Sequence, residues 1–381
     1  MIPFFWDKQG NWKTVIFQKS KGEWWQFLSG GGEDNENLYE TVLREIEEEI
    51  SVSYIDKLYL LDTINSIPVA AFSKEQRAGW KNDILVIPEN VFAVEIDPED
   101  INLSTEHLQY RIVNYDEAIV KLRWDSNKTA LWELKTLIEQ GELSSKLYDR
   151  IIATDKWNFD ENVAACFKNM LERSIPEYHM MRKLVLKFGL QFLRRGDTIV
   201  DIGCSCGGAL LPFVRNSGHM FSYIGIEKSI PMLEQCYKVF AKEIEDGYAR
   251  FIHSDILNDG ITEDANVFLC ILTLQFIPKF KRQELLNQIY AKTKEKGILI
   301  LVEKINGVNE EQNRLFSDIY YSIKHEQGYS YQQIENKRKS LIGILDPCTK
   351  VENEKLLINA GFYDVFDFWQ CGNFCGWIAK K

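Results

Sequence analysis

Residues 26–52, QFLSGGGEDNENLYETVLREIEEEISV, decide how the first part of this chain folds. Three consecutive glycines, Gly30, Gly31 and Gly32, precede a helical run in which Tyr39, Val42, Leu43, Ile46 and Ile50 recur at the spacing of one helix face. At about 100° per residue, Glu45, Glu48 and Glu49 fall within an arc of roughly 100° beside that apolar face. Three neighbouring carboxylates repel one another unless cations neutralise them, and oxygen-only donors suit Mg²⁺ or Mn²⁺. The glycines permit a close backbone approach that brings the helix start against a ligand. Most glutamate runs are solvated helix faces. The spacing Gly30-x5-Glu36-x7-Arg44-Glu45-Ile46-x-Glu48-Glu49-x-Ser51-Val52 argues for a site instead.

Working outward, apolar and aromatic runs at Phe4–Phe17, Leu58–Leu61, Ile84–Ile87 and Val91–Ile96 predict strands. KTALWELKTLIEQG, residues 128–141, predicts a helix that stops at Gly141. Residues 142–156 are polar without strand character, which places a boundary there and predicts domains at 1–147 and 153–381. Two domains also suit a chain of 381 residues. With 45% apolar, 13% aromatic and 27% charged residues, sizeable cores are expected and extensive disorder is not. No apolar run approaches the ~20 residues that span a bilayer, and MIPFFWDKQG lacks the regions of a signal peptide, so the expectation is a soluble, cytoplasmic protein.

Residues 1–150 hold 16 Lys and Arg against 27 Asp and Glu, leaving 29 of each for the remainder, so the whole net charge of −11 belongs to the first part. That acidity disfavours nucleic acid as a partner there. The eight cysteines, all from Cys166 onward, are scattered and predict free thiols in a reducing compartment. Cys204-x-Cys206 and Cys371-x3-Cys375 find no histidines at zinc-like spacing.

The 26–52 pattern resembles the Nudix box, and residues 1 to about 145 resemble Nudix hydrolases, which cleave a diphosphate linked to another moiety. Ser51 stands where that family has Gly; the position closes the helix, so a local backbone cost is expected. The resemblance implies that Glu45, Glu48 and Glu49 bind the metal and that Arg44 orients a carboxylate through a helix-spaced ion pair. STEHLQYRIVNYDEA (104–118) followed by DSNKTALWEL (125–134) is similar to the branch that hydrolyses dihydroneopterin triphosphate and related nucleoside triphosphates. That branch's downstream metal glutamate falls on Glu106, and its Ser-Asn-basic segment on Ser126, Asn127 and Lys128. The implied chemistry is attack of an activated water on an inner phosphorus, releasing a monophosphate and pyrophosphate, with Glu48 as first choice of base and Glu106 as second. His107 is expected to be an ordinary surface or packed histidine.

Beyond residue 156 helices and strands alternate: a helical run Asn169–Arg194, the strand TIVDIG (198–203), a helix near 207–216, the strand FSYIGIE (221–227), a helix Pro231–Glu245, and the strands ARFIHSD, VFLCILT and GILILVE. That rhythm predicts a parallel, doubly wound Rossmann-like sheet. Asp201-x-Gly203-x-Ser205-x-Gly207 lies at the carboxyl end of a strand, where such sheets bind ligands. Glu227, after the second strand, is placed to accept from two ribose hydroxyls, and Asp255 follows the third. The glycine turn alone also suits a dinucleotide. An acid after each of three strands favours S-adenosylmethionine (SAM) over NAD.

WNFDENVAACFKNMLERSIPEY (157–178), DIGCSCGGALL (201–211), LTLQF (272–276), GYSYQQIENKR (328–338) and QCGNF (370–374) together resemble the carboxy-SAM synthase family, a branch of class I SAM-dependent methyltransferases. The resemblance covers residues 156–381. It implies SAM contacts at Tyr178, Gly203, Cys204, Ser205, Glu227, Lys228, Asp255, Ile256 and Arg338, the last holding the extra carboxylate of carboxy-SAM. Ile271 replaces the family's Asn, and Tyr320 and Tyr321 replace two histidines, so an acceptor site retuned for plain methyl transfer is expected. Such transfer needs mainly in-line positioning. Tyr320 and Tyr321 equally suit helix packing. Cys204 and Cys206, without a basic partner, suit lining or packing. The expected protein is a bifunctional small-molecule enzyme: a Mg²⁺- or Mn²⁺-dependent Nudix pyrophosphohydrolase of a nucleotide or pterin triphosphate, joined to a SAM-dependent methyltransferase. Carboxy-SAM synthesis from SAM and prephenate is the alternative for the second half, and a ligand-sensing module without turnover is the alternative for either half.

Overall fold

The apolar run Phe4–Phe17 forms two strands, β1 (Ile2–Trp6) and β2 (Trp12–Lys19), paired antiparallel. Asp7 turns the chain between them, its Oδ1 accepting from the backbone N–H of Gln9 and Asn11, both at 2.9 Å. The computed structural model describes residues 1–20, 22–33, 36, 38–52, 55, 57–74, 77, 80, 83–148 and 156–381, and its chain divides into two units, Met1–Asp149 and Arg150–Lys381.

The first unit continues through β3 (Trp25–Gln26), α1 (Leu38–Ile50), β4 (Lys57–Pro68), β5 (Val86–Glu95), β6 (His107–Val113), α2 (Tyr115–Lys121) and α3 (Asp125–Glu139). The sheet order is β3-β2-β1-β5-β4 with β6 on β2; β1 and β5 run parallel and the other pairs antiparallel. The runs Ile84–Ile87 and Val91–Ile96 belong to a single strand that starts at Val86 and ends at Glu95. The mixed sheet lies between helices. Val15, Phe17, Phe92 and Val94 pack on Val42, Ile46 and Ile50 of α1. On the other face Phe4 and Ile16 pack on Ala130, Leu131 and Leu134 of α3.

Past α3 the chain stays with this unit as far as Tyr148, which is buried, stacked on Tyr39 (5.5 Å between ring centroids) and set edge-on to Phe92 (5.8 Å). The expected boundary segment 142–156 falls partly outside the described residues, at 149–155. By Trp157, whose N–H donates to Ser340 O at 3.0 Å, the chain is part of the second unit.

There the expected helical run Asn169–Arg194 is two helices, α4 (Glu161–Ser174) and α5 (Tyr178–Gln191). Pro176 disfavours helix at Ile175, and Glu177 adopts φ +52°. Asp160 caps α4 by accepting from Val163 N–H at 3.0 Å. The unit continues with β7 (Thr198–Ile202), α6 (Leu211–Ser217), β8 (Ser222–Glu227), α7 (Ile230–Val239), α8 (Ala241–Glu245), β9 (Ala249–His253), β10 (Ala265–Ile271), α9 (Lys279–Lys292) and β11 (Thr293–Asn306). It ends with α10 (Glu310–Glu326), α11 (Tyr331–Ser340), β12 (Cys348–Thr349), α12 (Lys350–Ala360), β13 (Asp364–Cys371) and β14 (Phe374–Lys380). The Pro231–Glu245 run is thus two helices, broken at Phe240.

Strand order is β13-β14-β11-β10-β7-β8-β9 with β12 on β11. The strands β11, β10, β7, β8 and β9 are parallel, and Ile298–Val302 is buried throughout because helices cover both faces. The expectation of a parallel sheet needs one correction. β14 runs antiparallel to β11 and also to β13, to which a tight turn joins it as a hairpin. The chain winds outward from β7 through β8 to β9, then returns to β10 on β7's other side, so the switch point lies at the carboxyl ends of β7 and β10.

Candidate functional site

In the first unit α1 presents Arg44 as a hub. Its Nε donates to Glu36 Oε1 at 2.7 Å, its Nη1 to Glu45 Oε1 at 3.0 Å and to Glu48 Oε2 at 3.1 Å, and its Nη2 to Gly31 O at 2.7 Å. Arg44 holds the Glu36 carboxyl down to about 2, whereas burial pushes Glu45 up. Glu45 also accepts from Gly31 N–H at 3.1 Å. A Cβ on Gly30 would stand 1.7 Å from Glu45 Cδ, so the glycine loop lets this carboxylate close on the backbone. Ser51 occupies the left-handed region at φ +57°, the backbone cost expected of a non-glycine there.

Glu49 is 2% exposed. Its Oε1 lies 3.3 Å from Lys19 Nζ, which also approaches Glu106 Oε2 at 2.5 Å. His107 is packed, its ring 5.1 Å from Phe17 and its Nε2 3.4 Å from Glu49 Oε2. The carboxylates that share one arc of the helix are thus divided between two cations. Glu45 and Glu48 share Arg44, Glu49 and Glu106 share Lys19, and among the described residues no three His, Cys, Asp or Glu side chains gather as a metal would need. The residues nevertheless fit a hard divalent cation. All four are oxygen donors, and buried Glu49 Oε2 has no hydrogen-bond partner among the described residues. Asn127 Oδ1 accepts from Phe27 N–H at 3.1 Å and ties α3 to the strand before the glycine loop, while Lys128 pairs with Asp125 at 3.4 Å.

In the second unit a cavity of about 670 Å³ opens at the switch point. All nine residues expected to touch SAM border it, as do Ile271, Tyr320 and Tyr321. The turn after β7 holds Gly203 at φ +69° and Ser205 at φ +48°. A Cβ on Gly203 would stand 2.5 Å from Thr273, so only glycine lets these two strand ends approach. Glu227, at the end of β8, ties the turn down: its Oε2 accepts from Ser205 N–H at 3.0 Å and its Oε1 from Lys228 and Ser229 N–H, both at 2.8 Å. Asp255 Oδ1 accepts from Leu257 N–H at 3.0 Å, next to Ile256. Tyr178 starts α5, and burial pushes its hydroxyl up. Cys236 and burial together push the Cys204 thiol up, which suits a lining role. Arg338 is half-exposed, and its Nε and Nη2 donate to Glu335, each at 2.8 Å.

Three buried groups shape this site, and two of them, Glu303 and Lys304, were not singled out from the sequence. Asp201 is 1% exposed and pushed up to about 7 by burial. Glu303, buried at the end of β11, accepts from Thr273, Leu274 and Gln275 N–H at 3.1, 2.8 and 2.8 Å and pins the LTLQF turn; burial pushes it up to about 8 against those donors. Lys304 borders the cavity with its Nζ 4.1 Å from the Tyr320 ring centroid, and burial pushes it down to about 8. An acid and a base directly after the apolar run GILILV were the available signal.

A family model described as the NUDIX domain matches residues 2–132. Over the rest of the chain, a carboxy-S-adenosyl-L-methionine synthase of Wolinella succinogenes is 39% identical over 231 residues, covering 59% of this chain and 94% of that protein. A carboxy-S-adenosyl-L-methionine synthase of Methylococcus capsulatus is 34% identical over 228 residues, covering 60% of this chain and 94% of its own. Among solved structures, a candidate NUDIX hydrolase of Listeria monocytogenes is 36% identical, covering 37% of this chain and 93% of that one at a TM-score of 0.33.

Proposed function

Because the chain belongs to the carboxy-S-adenosyl-L-methionine synthase family, with a NUDIX domain ahead of that region, we propose that it is a cytoplasmic enzyme with two sites acting on small molecules. The first unit hydrolyses a nucleotide or pterin triphosphate to a monophosphate and pyrophosphate. Glu45, Glu48, Glu49 and Glu106 would hold a Mg²⁺ or Mn²⁺ ion, which would supply Lewis acidity for a phosphoryl oxygen and for a water. Arg44 holds Glu45 and Glu48 in place and ties them to the glycine loop. Glu48, whose side chain is 58% exposed and has one oxygen on Arg44, is the first choice to take a proton from a water, with Glu106 next in line.

The second unit binds SAM, with Glu227 on the ribose, Asp255 on the adenine and the Gly203–Gly207 turn under the ligand, and transfers its methyl group to a small acceptor. The observation that carries the SAM reading is the convergence on one cavity of nine residues spread from Tyr178 to Arg338. Methyl transfer is favoured by apolar Ile271 at the cavity and by Glu335, which engages Nε and Nη2 of Arg338. A second reading, carboxy-SAM synthesis from SAM and prephenate, draws support from the curated relatives' names and from the position of Arg338 on the cavity wall. Incubation with SAM, with and without prephenate, followed by mass spectrometry of the adenosyl products separates the two. Carboxy-SAM that appears only with prephenate overturns the methyl-transfer reading.

A further inference from the structure

Lys19 ends β2 with its ammonium between two carboxylates from different parts of the first unit, Glu49 of α1 and Glu106 just before β6. The strand register aims it there. A bulge between Gln18 and Lys19 sets Lys19 opposite His107, whose ring reaches the far side of the same Glu49 carboxylate. A second observation points to a ligand. Glu49 Oε2 is buried, and neither it nor either nitrogen of His107 has a hydrogen-bond partner among the described residues. A buried carboxylate with one flexible cation on one oxygen, and an imidazole at 3.4 Å but no hydrogen bond on the other, is short of positive charge.

We propose that Lys19 is the resident counter-cation of this carboxylate pair, one that a divalent cation displaces and that then takes an oxyanion of the substrate's phosphate chain. This rests on the reading of Glu49 and Glu106 as metal ligands. A carboxylate has lone pairs for both, but a divalent ion bound by Glu49 and Glu106 would stand beside the ammonium, and the repulsion between the two cations drives the ammonium out. The four-carbon stem lets the displaced ammonium swing, and a mobile point charge with three donors suits a phosphate. Metal and triphosphate therefore assist each other. The metal frees the ammonium, and the phosphate keeps it from returning.

The test is a calorimetric titration of the full chain with Mn²⁺, with and without a non-hydrolysable nucleoside triphosphate analogue, for wild type, Lys19→Met, Lys19→Gln and Glu49→Gln. Without the analogue, both Lys19 variants are expected to bind Mn²⁺ about tenfold tighter than wild type, within the usual span of coupling between two ligands. The analogue tightens Mn²⁺ binding in wild type more than in either Lys19 variant. Equal or weaker Mn²⁺ binding by the folded Lys19 variants overturns the role of Lys19 and leaves the metal site standing. No Mn²⁺ binding by wild type, or unchanged binding in Glu49→Gln, overturns the metal reading and this proposal with it.

Discussion

Ser51 carries the left-handed backbone that closes α1, a conformation that costs a side-chain-bearing residue about 1 kcal/mol and glycine almost nothing. Ser51→Gly is therefore expected to raise the stability of the first unit by about 1 kcal/mol, seen as a higher melting temperature; an unchanged melt means the cost is offset elsewhere. Glu49→Gln preserves volume but removes the buried charge, and Mg²⁺-dependent hydrolysis of nucleoside triphosphates should fall by orders of magnitude. Wild-type turnover in that variant sinks the proposed site. Glu227→Ala removes both the proposed ribose acceptor and the anchor of the Ser205 turn. A loss of about 1.5–3 kcal/mol in SAM affinity, ten- to a hundredfold, is expected by calorimetry. Arg338→Leu should leave SAM binding nearly unchanged and weaken carboxy-SAM strongly, since a guanidinium clamps a carboxylate and gains nothing from a methyl group.

At the scale of elements, the carboxyl ends of β7, β10 and β11 meet around two buried acids. Asp201 and Glu303 have pKa values raised to about 7 and about 8, so between the ordinary carboxylate range and about pH 8 the folded state binds more protons than the unfolded chain. Stability then falls as pH rises through that window. The melting transition that SAM shifts should move down between pH 5 and pH 8, and Asp201→Asn should flatten the slope. A pH-independent melt contradicts the burial of these groups. Glu303→Gln offers a single acceptor oxygen to three N–H donors, so it should cost about 1–3 kcal/mol and loosen the Thr273–Gln275 turn.

For the molecule as a whole, the fragments 1–147 and 153–381 are proposed to fold and bind ligand separately. Tyr148 refines that division: its ring packs between Tyr39 and Phe92, and a fragment ending at 147 should melt below one ending at 148. If both fragments aggregate while the whole chain melts in one step, the division is wrong. Among the described residues no helix is long and apolar enough to cross a membrane.

The residues that could be read from the sequence share one property, short spacing along the chain. Glu45, Glu48 and Glu49 follow from helical periodicity, the left-handed Ser51 from its place at a helix end, and Gly203, Glu227 and Asp255 from their positions at strand ends. Each follows from backbone geometry that a few neighbouring residues impose. Where those carboxylates would find their cations was not legible. Lys19 and Glu106 stand 87 positions apart, and a strand register with a bulge brings them together. The same holds for Glu303 beneath a turn some thirty residues earlier and for Lys304 against Tyr320. The charge on these groups is visible in the sequence. Their partners and their shifted protonation depend on burial and on contacts between distant segments, which exist only once the sheets have closed.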